Sequence, residues 1–325
     1  MWRDSIAEQS HLGWHRLHVM RSSRNICAAA LIALAGSALA STPSAQTPAH
    51  RVMLDEAHHN IMATASGGYR PLVRLLTDAE FDVTPNALPF SRERLATTDV
   101  VVIANPNGAD ERASMEDRAA SAFTDPEIEA VEEWVKGGGG LLLATDHYPT
   151  GVAARRLAEK FGVKLSGGWT DDPANRRTLA GYGPIFGYLV FSLENGLLTD
   201  HAITRGRYDT EQIEGVATVT GESIEGPAGS VSLLRLSPTA VDWIPPDPSR
   251  AASDTTAQPP ARDFNPCPSC DHISAAGRSQ AIAFAFGRGR VVVVGEMGVL
   301  VDYSAPGMQN AQFTLNAVRW LARQF

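Results

Sequence analysis

The chain has 325 residues, of which 44% are hydrophobic and 20% are charged, a composition typical of a globular protein with a large core. Its formal net charge is -8, and it contains no run of Lys and Arg that would neutralise a row of phosphates. These properties argue against a nucleic-acid partner and favour a neutral or cationic small ligand.

The first 40 residues have the character of a secretory signal peptide. Two arginines precede an Ala- and Leu-rich run over 26–40, which ends in the Ala38-x-Ala40 pattern of a cleavage site. This run is shorter than the roughly 20 apolar residues of a membrane span. We predict cleavage near Ala40, with Met20 as an alternative start, and a periplasmic or secreted mature protein without a membrane span. An uncleaved N-terminal anchor is the alternative.

Residues 41–50 are rich in Ser, Thr, Pro and Gln, which predicts a disordered tether. From Arg51 to about Leu165, apolar runs of strand length alternate with helical patterns. The predicted strands are 52–56, 81–84, 99–105, 141–145 and 163–165, and the predicted helices are 69–79, 125–136 and 153–161. Because the strand runs are continuously apolar, both of their faces are expected to be covered, as in a parallel sheet. The pattern predicts a doubly wound α/β domain.

The helix that begins at Asp125 has the clearest boundaries. Thr124 is a preferred N-cap residue, Pro126 lies in the first turn, and Glu127 completes a capping-box pattern. Four glycines at 137–140 end the helix, and the apolar run of the next strand follows directly.

The pattern changes in the second half of the chain. Residues 167–198 are rich in Gly and aromatic residues without a clear period, and a loop or cap over the site is expected there. Strand-like runs follow at 215–221 and 231–236, and then a Pro-rich insertion spans about 238–279. A hairpin over 281–294 and a helix from about Gln309 close the chain. No internal repeat or second core is evident, which predicts a single domain over 51–325.

Polar residues follow the predicted strands at the edge where a parallel α/β sheet binds ligands. The candidate catalytic residues are His147, Asp146, Glu56 and Glu296. The candidate ligand-binding residues are Asp55, His58, His59, Asn60, Asn105 and Tyr148. Some of these residues also have a structural interpretation: a helix N-cap for Asp146 with His147 at the surface, a solvated loop pair for His58 and His59, and a hairpin cap for Glu296.

Two kinds of chemistry fit these residues. A histidine beside a carboxylate is a general acid or base near neutral pH. Alternatively, His58 or His59, together with His147 and a carboxylate from Asp55, Glu56 or Glu296, would coordinate a divalent metal, although no compact ligand motif supports this. No Cys follows a predicted strand and no Gly-x-Ser-x-Gly elbow occurs. The Gly-rich run precedes a strand instead of opening a helix, so no nucleotide site is indicated.

Cys267 and Cys270 lie inside the Pro-rich insertion. A thioredoxin-like motif would open a helix after a strand, and a zinc site would usually need a second ligand pair. A local structural disulfide is therefore the favoured interpretation, and it suits an exported protein.

Five segments carry a recognisable combination of motifs. They are 55–60 (Asp-Glu-Ala-His-His-Asn), 138–149 with the Asp146-His147-Tyr148-Pro149 end, 200–206, 289–296 with Gly295-Glu296, and 310–321. Together they resemble an uncharacterised bacterial family whose domain is similar to class I glutamine amidotransferases and to trehalose-utilisation (ThuA-like) proteins. The resemblance covers about 51–325 apart from the insertion.

This resemblance implies a flavodoxin-like fold with a C-terminal hairpin and helix. True amidotransferases carry a nucleophilic Cys after a strand, where this chain has Asp146-His147, so glutamine hydrolysis is not expected. ThuA-like proteins are associated with sugar metabolism, which implies a saccharide-like ligand by analogy of fold.

Three hypotheses follow. The first is an exported protein that binds a small polar ligand at the strand ends, without a predicted cofactor. The second is a hydrolase or lyase that uses His147 with Asp146, Glu56 or Glu296, with a divalent metal as a variant. The third is an envelope scaffold.

Overall fold

The computed structural model describes residues 49–64, 67–178, 187–246, 267, 269–300 and 307–325. The predicted signal peptide and residues 41–48 of the predicted tether lie outside these ranges. Pro48–Phe325 forms one compact unit. Within the described ranges, no helix combines the length and the apolar character needed to cross a bilayer.

Fifteen strands occur among the described residues. They are β1 (Arg51–Asp55), β2 (Asp82–Asn86), β3 (Val100–Ala104), β4 (Gly140–Ala144), β5 (Lys164–Leu165), β6 (Trp169–Asp171), β7 (Arg176–Thr178), β8 (Gly187–Ser192), β9 (Gly215–Thr218), β10 (Ile224–Glu225), β11 (Val231–Arg235), β12 (Val241–Ile244), β13 (Asp271–Ser274), β14 (Ser279–Phe286) and β15 (Gly289–Val294). Nine of them form a sheet in the order β2-β1-β3-β4-β15-β14-β10-β5, with β11 paired to β14.

Seven α-helices occur among the described residues. They are α1 (Arg70–Asp78), α2 (Arg92–Leu95), α3 (Met115–Ala119), α4 (Asp125–Lys136), α5 (Thr150–Lys160), α6 (Ala202–Arg205) and α7 (Asn310–Leu321). Strands β1 to β4 and β15 pair in parallel, whereas β14 is antiparallel to β15. This is the α/β, flavodoxin-like fold with a C-terminal hairpin and helix that the sequence predicts.

The central strands are buried on both faces because successive side chains point to opposite sides of the sheet. On β4, Leu142 packs into the core that α1 and α7 cover, while Leu141 and Leu143 pack into the core under α4 and α5. The same alternation holds for β3, where Val102 and Ile103 face opposite cores. A continuous apolar run is therefore what a strand at this position requires.

The predicted start of α4 is confirmed. Thr124 is the N-cap, and Glu127 returns its side chain to the Thr124 backbone N–H at 3.0 Å, completing a capping box. The helix ends before Gly137. Gly139 lies against the indole of Trp134, so closely that a Cβ would collide with the ring. The glycines thus both end the helix and allow the chain to turn tightly into β4.

The stretch over 167–198, without a clear period in sequence, contains short strands of two smaller sheets. One sheet has the order β13-β12-β6 and the other β7-β8-β9. Strands β6 and β7 have three residues each, which is too few to show an alternating pattern in the sequence. Strand β6 also pairs with β12, a segment far along the chain. In the first small sheet Trp169 lies opposite Trp243.

The Pro-rich insertion begins and ends in strands, β12 and β13, which pair with each other. Most of its prolines fall outside the described residues. Cys267 and Cys270 are joined by a disulfide just before β13, so the local pairing favoured from the sequence is present.

Candidate functional site

The parallel register aligns the ends of three central strands. Ala144 of β4 is level with Ala104 of β3 and Val294 of β15. The residues that follow these strands therefore lie side by side at one edge of the sheet, in the crevice position that is typical of α/β ligand sites. Most candidate residues from the sequence follow β1, β3, β4 or β15, and they separate into two groups.

The first group is a buried triad of Asp55, His58 and Glu127, called the His58 triad below. The His58 Nδ1 atom lies 2.8 Å from Asp55 Oδ1, and Nε2 lies 2.9 Å from Glu127 Oε1. The imidazole packs against two aromatic rings, with centroid distances of 5.1 Å to Phe90 and 4.4 Å to Phe123. The triad connects the end of β1 to the start of α4.

Charge pairing stabilises this triad. Burial alone would lower the pKa of His58, but the hydrogen bonds and charges of Asp55 and Glu127 outweigh it and raise that pKa above 6.5. Burial likewise opposes the charged form of Glu127, yet hydrogen bonds from Thr124 and His58 lower its pKa below 4.5. Both ring nitrogens of His58 have carboxylate partners, so a metal ion would have to displace one of them.

The neighbouring candidates fix the loop after β1. The Asn60 side-chain amide donates to Asp55 Oδ2 at 3.1 Å and to the Ala104 carbonyl at 2.9 Å. Glu56 accepts from the Thr64 backbone N–H at 2.7 Å, while its own N–H donates to the Asn86 carbonyl. His59 is exposed and its carbonyl accepts from the Asn107 side chain.

The second group follows β4 and comprises His147, Tyr148 and Trp169, called the His147 platform below. The rings of His147 and Trp169 are stacked, with centroids 5.3 Å apart and planes 26° from parallel. Tyr148 lies against the same indole at 6.0 Å. All three side chains are partly exposed. Thus β6 of the small sheet supplies an aromatic surface beside the end of β4.

Hydrogen bonding sets the proton position on His147. Its Nδ1 lies 2.8 Å from the Tyr148 carbonyl oxygen, which can only accept, so Nδ1 carries the hydrogen in that bond. In the neutral ring, Nε2 then holds the lone pair, and it lies 3.6 Å from Asp146 Oδ1. The His147 side chain is 38% exposed and that of Asp146 is 16% exposed. Both therefore reach solvent at the sheet edge.

Two acids are buried close to Asp146. Burial raises the pKa of Glu222 to about 8, and the Asp146 charge adds to that effect. Burial and the same Asp146 charge also hold the pKa of Glu296 well above 4.5. For both carboxyl groups, the neutral form is therefore favoured relative to an exposed glutamate.

Glu222 is held by specific contacts. The Thr145 hydroxyl donates to Glu222 Oε1 at 2.5 Å, and the Gly167 N–H donates to Oε2 at 2.7 Å. Gly151, in the first turn of α5, allows this approach because a Cβ there would collide with the carboxyl group. Glu296 accepts from the Gly298 N–H at 2.9 Å. These acids form the base of the site, beneath the more exposed Asp146 and His147.

In the described parts of the chain, no three His, Cys, Asp or Glu side chains are grouped in a way that would hold a metal ion. His58 and His147 belong to different groups, and His59 points its carbonyl at Asn107. The metal variant of the sequence hypothesis thus has no support from this arrangement.

Sequence reasoning missed Glu127, Trp169 and Glu222 as members of these groups. Glu222 follows the strand-like run over 215–221, so the rule that selected Glu296 would also have selected it. Trp169 lay in the aperiodic stretch where a cap was expected, and its own strand has three residues. Glu127 was assigned to the capping box, which it forms while also binding His58.

No family model and no curated protein matches this chain. Among solved structures, the mmIFT52 N-terminal domain is similar, with 13% identity and a TM-score of 0.55 over 83% of this chain and 96% of that one. A ThuA-like protein from Bacteroides uniformis aligns over 86% of this chain and 95% of its own, with 14% identity and a TM-score of 0.45. A GMP synthase-type protein from Thermoplasma acidophilum aligns over 86% and 96%, with 9% identity and a TM-score of 0.43. At these identities the similarity concerns the fold alone.

Proposed function

We propose that this protein binds a small, polar, carbohydrate-like ligand on the His147 platform, next to Asp146. The observation that carries the proposal is the partly exposed stack of His147 on Trp169 at the carboxyl end of a central parallel strand. An aromatic surface beside a carboxylate suits a sugar, whose ring C–H groups pack on an aromatic face while its hydroxyl groups donate to the acid.

The electrostatics of the site favour a ligand without negative charge. The Asp146 charge already disfavours ionisation of Glu222 and Glu296. A carboxylate or phosphate placed there would add a further negative charge beside Asp146, which is repulsive. A neutral polyol meets no such penalty.

The test is calorimetric titration with glucose, galactose, mannose, maltose, cellobiose and trehalose, supported by thermal shift. We expect at least one sugar to bind the wild type, and Trp169→Ala to weaken that binding at least tenfold. Tyr208→Ala is the matched control, since Tyr208 is an exposed aromatic residue outside the platform. Absence of binding by all six sugars, or equal losses in both variants, would contradict the proposal.

A second candidate is a hydrolase or lyase that uses His147 as a general base. It is favoured by the bond from Nδ1 to the Tyr148 carbonyl, which leaves Nε2 available near Asp146. Release of nitrophenol from aryl glycosides of the same sugars would test it. His147→Ala should lower kcat at least 100-fold. Equal activity in wild type and His147→Ala would exclude this role.

We further infer export and kinship with ThuA-like proteins. The signal-like N-terminus and the Cys267–Cys270 disulfide support an oxidising compartment. The strand-end motifs and the fold support the kinship. Expression with the native N-terminus, followed by fractionation and N-terminal sequencing, should give a mature chain that starts at Ser41. Recovery of the intact N-terminus in the cytoplasm would refute export.

A further inference from the structure

Asn105 combines two unfavourable features at the edge of the sheet. Its backbone has a φ of 48°, in the left-handed region that non-glycine residues seldom adopt. Its side chain is 2% exposed, and Oδ1 has no hydrogen-bond partner among the described residues. A buried acceptor without a donor is uncommon in native proteins, and each one calls for an explanation.

The position of Asn105 is fixed by its neighbours. Its N–H donates to the Ala144 carbonyl at 2.9 Å, so Asn105 lies beside Thr145 and one residue from Asp146. Its own carbonyl accepts from the Asn107 side chain at 3.0 Å. The preceding carbonyl, that of Ala104, accepts from Asn60. The backbone is therefore held on both sides, and the left-handed conformation is imposed by these bonds.

Asparagine tolerates the left-handed region better than most residues, but that conformation does not require a buried Oδ1 without a donor. Glycine would adopt the same φ without a steric penalty, and an apolar side chain would leave no orphaned acceptor. Features that cost stability and have no structural use are concentrated at ligand sites. The orphaned group is a neutral acceptor, so its complement is a neutral donor such as a hydroxyl group.

We propose that Asn105 determines ligand specificity by accepting a hydrogen bond at Oδ1 from one hydroxyl group of the ligand. This inference rests on the proposed carbohydrate site and deepens it. The ligand then spans from the His147 platform to the end of β3. Asp146 and Asn105, on neighbouring strand ends, receive different hydroxyl groups of the same molecule.

Stability gives the first test, and it needs no ligand. Asn105→Gly removes both the left-handed penalty and the orphaned acceptor. His59→Gly is the matched control, because His59 also has a φ of 48° but is exposed. We expect Asn105→Gly to raise Tm by about 2–4 °C more than His59→Gly does. An equal or smaller gain would mean that the side chain stabilises the fold, through a partner of Oδ1 or through packing, and would overturn the inference.

Binding gives the second test, in which the probe is the sugar of the six that binds the wild type most tightly. Its mono-O-methyl ethers each remove one hydroxyl donor. We expect one ether to bind wild type about tenfold more weakly than the parent sugar, and the Asn105→Gly variant to bind that ether and the parent equally. His59→Gly should retain the wild-type preference.

The outcomes separate the two proposals. Suppose that a sugar binds wild type, and that the ethers have the same order of affinity for Asn105→Gly as for wild type. The proposed role of Asn105 is then wrong, whereas the proposed carbohydrate site is not contradicted. If none of the six sugars binds wild type, the carbohydrate assignment and this inference both fail.

Discussion

At the residue scale, glutamate and histidine side chains have different roles in the His58 triad and around the His147 platform. Glu127 is charged because His58 and Thr124 stabilise its anion, whereas Glu222 is neutral because it is fully buried near Asp146. His58 is buried between two acids, Asp55 and Glu127. His147 has one acid nearby, Asp146, and is partly exposed where it stacks on Trp169. Environment, and not residue type, therefore distinguishes a structural histidine from a candidate functional one.

The protonated state of Glu222 predicts a pH dependence of stability. The folded protein keeps this proton to about pH 8, whereas an unfolded Glu loses it near pH 4.5. The free energy of unfolding therefore falls as pH rises between these values, by about 1.4 kcal/mol per pH unit for one group. Glu222→Gln mimics the protonated acid: its oxygen accepts from the Gly167 N–H, and its amide donates to the Thr145 oxygen once the Thr145 hydroxyl turns to the Val294 carbonyl.

We expect Glu222→Gln to match wild type near pH 5 and to be more stable by a few kcal/mol near pH 8, measured by urea unfolding. Glu159→Gln, at an exposed position of α5, is the control and should follow wild type throughout. Parallel curves for wild type and Glu222→Gln would show that Glu222 is ionised in the folded protein.

The His58 triad predicts a second pH window. Removing His58 leaves two buried acids without their partner, which should cost about 3–5 kcal/mol. The raised pKa of His58 contributes stability that is lost above pH 6.5, and the lowered pKa of Glu127 contributes stability that is lost below pH 4.5. The cost of His58→Ala should thus be largest between these two values.

The control is His59→Asn, which keeps a residue that tolerates the left-handed conformation. It should change the free energy of unfolding by less than about 0.5 kcal/mol at every pH. A cost of His58→Ala that does not vary with pH would mean that the triad stabilises by packing alone.

At the element scale, the candidate site is made where two structural layers meet. Strand β4 supplies Asp146 and His147 from the main sheet, and β6 supplies Trp169 from a small sheet. Helix α5 begins immediately after the turn and brings Gly151 against Glu222. The turn between β4 and α5 therefore sets the distance between the buried acids and the exposed pair.

This packing predicts the effect of Gly151→Ala. Alanine normally favours a helix by up to about 1 kcal/mol over glycine, but here its Cβ would meet the Glu222 carboxyl group. We expect a net loss of about 1–3 kcal/mol in the free energy of unfolding. On a Glu222→Ala background the collision is absent, so the same substitution should become stabilising. A loss on both backgrounds would mean that the helix start itself resists alanine.

The Cys267–Cys270 disulfide lies just before β13 of the small sheet and joins two residues that are only three positions apart. Because so short a loop constrains the unfolded chain little, its reduction should cost about 2 kcal/mol at most. Thermal unfolding with and without dithiothreitol measures this. The Cys267→Ser/Cys270→Ser variant should not respond to the reductant. A larger loss would indicate that the disulfide anchors β13 and its pairing with β12.

At the scale of the whole molecule, much of the fold follows from local patterns. Continuous apolar runs predicted β1, β3, β4 and β15 because strands covered on both faces need no polar alternation. The Thr124 capping box and the glycines predicted both ends of α4. The short strands β6 and β7 escaped prediction, since three residues do not establish a period.

The sequence by itself determined which polar residues lie at strand ends, because that depends on where each apolar run stops. Only the tertiary structure decided which of them meet. His58 is paired with Glu127, 69 positions away, and His147 is stacked on Trp169. Glu222 and Glu296 lie close to Asp146. Strand order, loop paths and the packing of the small sheet set those pairings, and each depends on contacts between segments far apart in the chain.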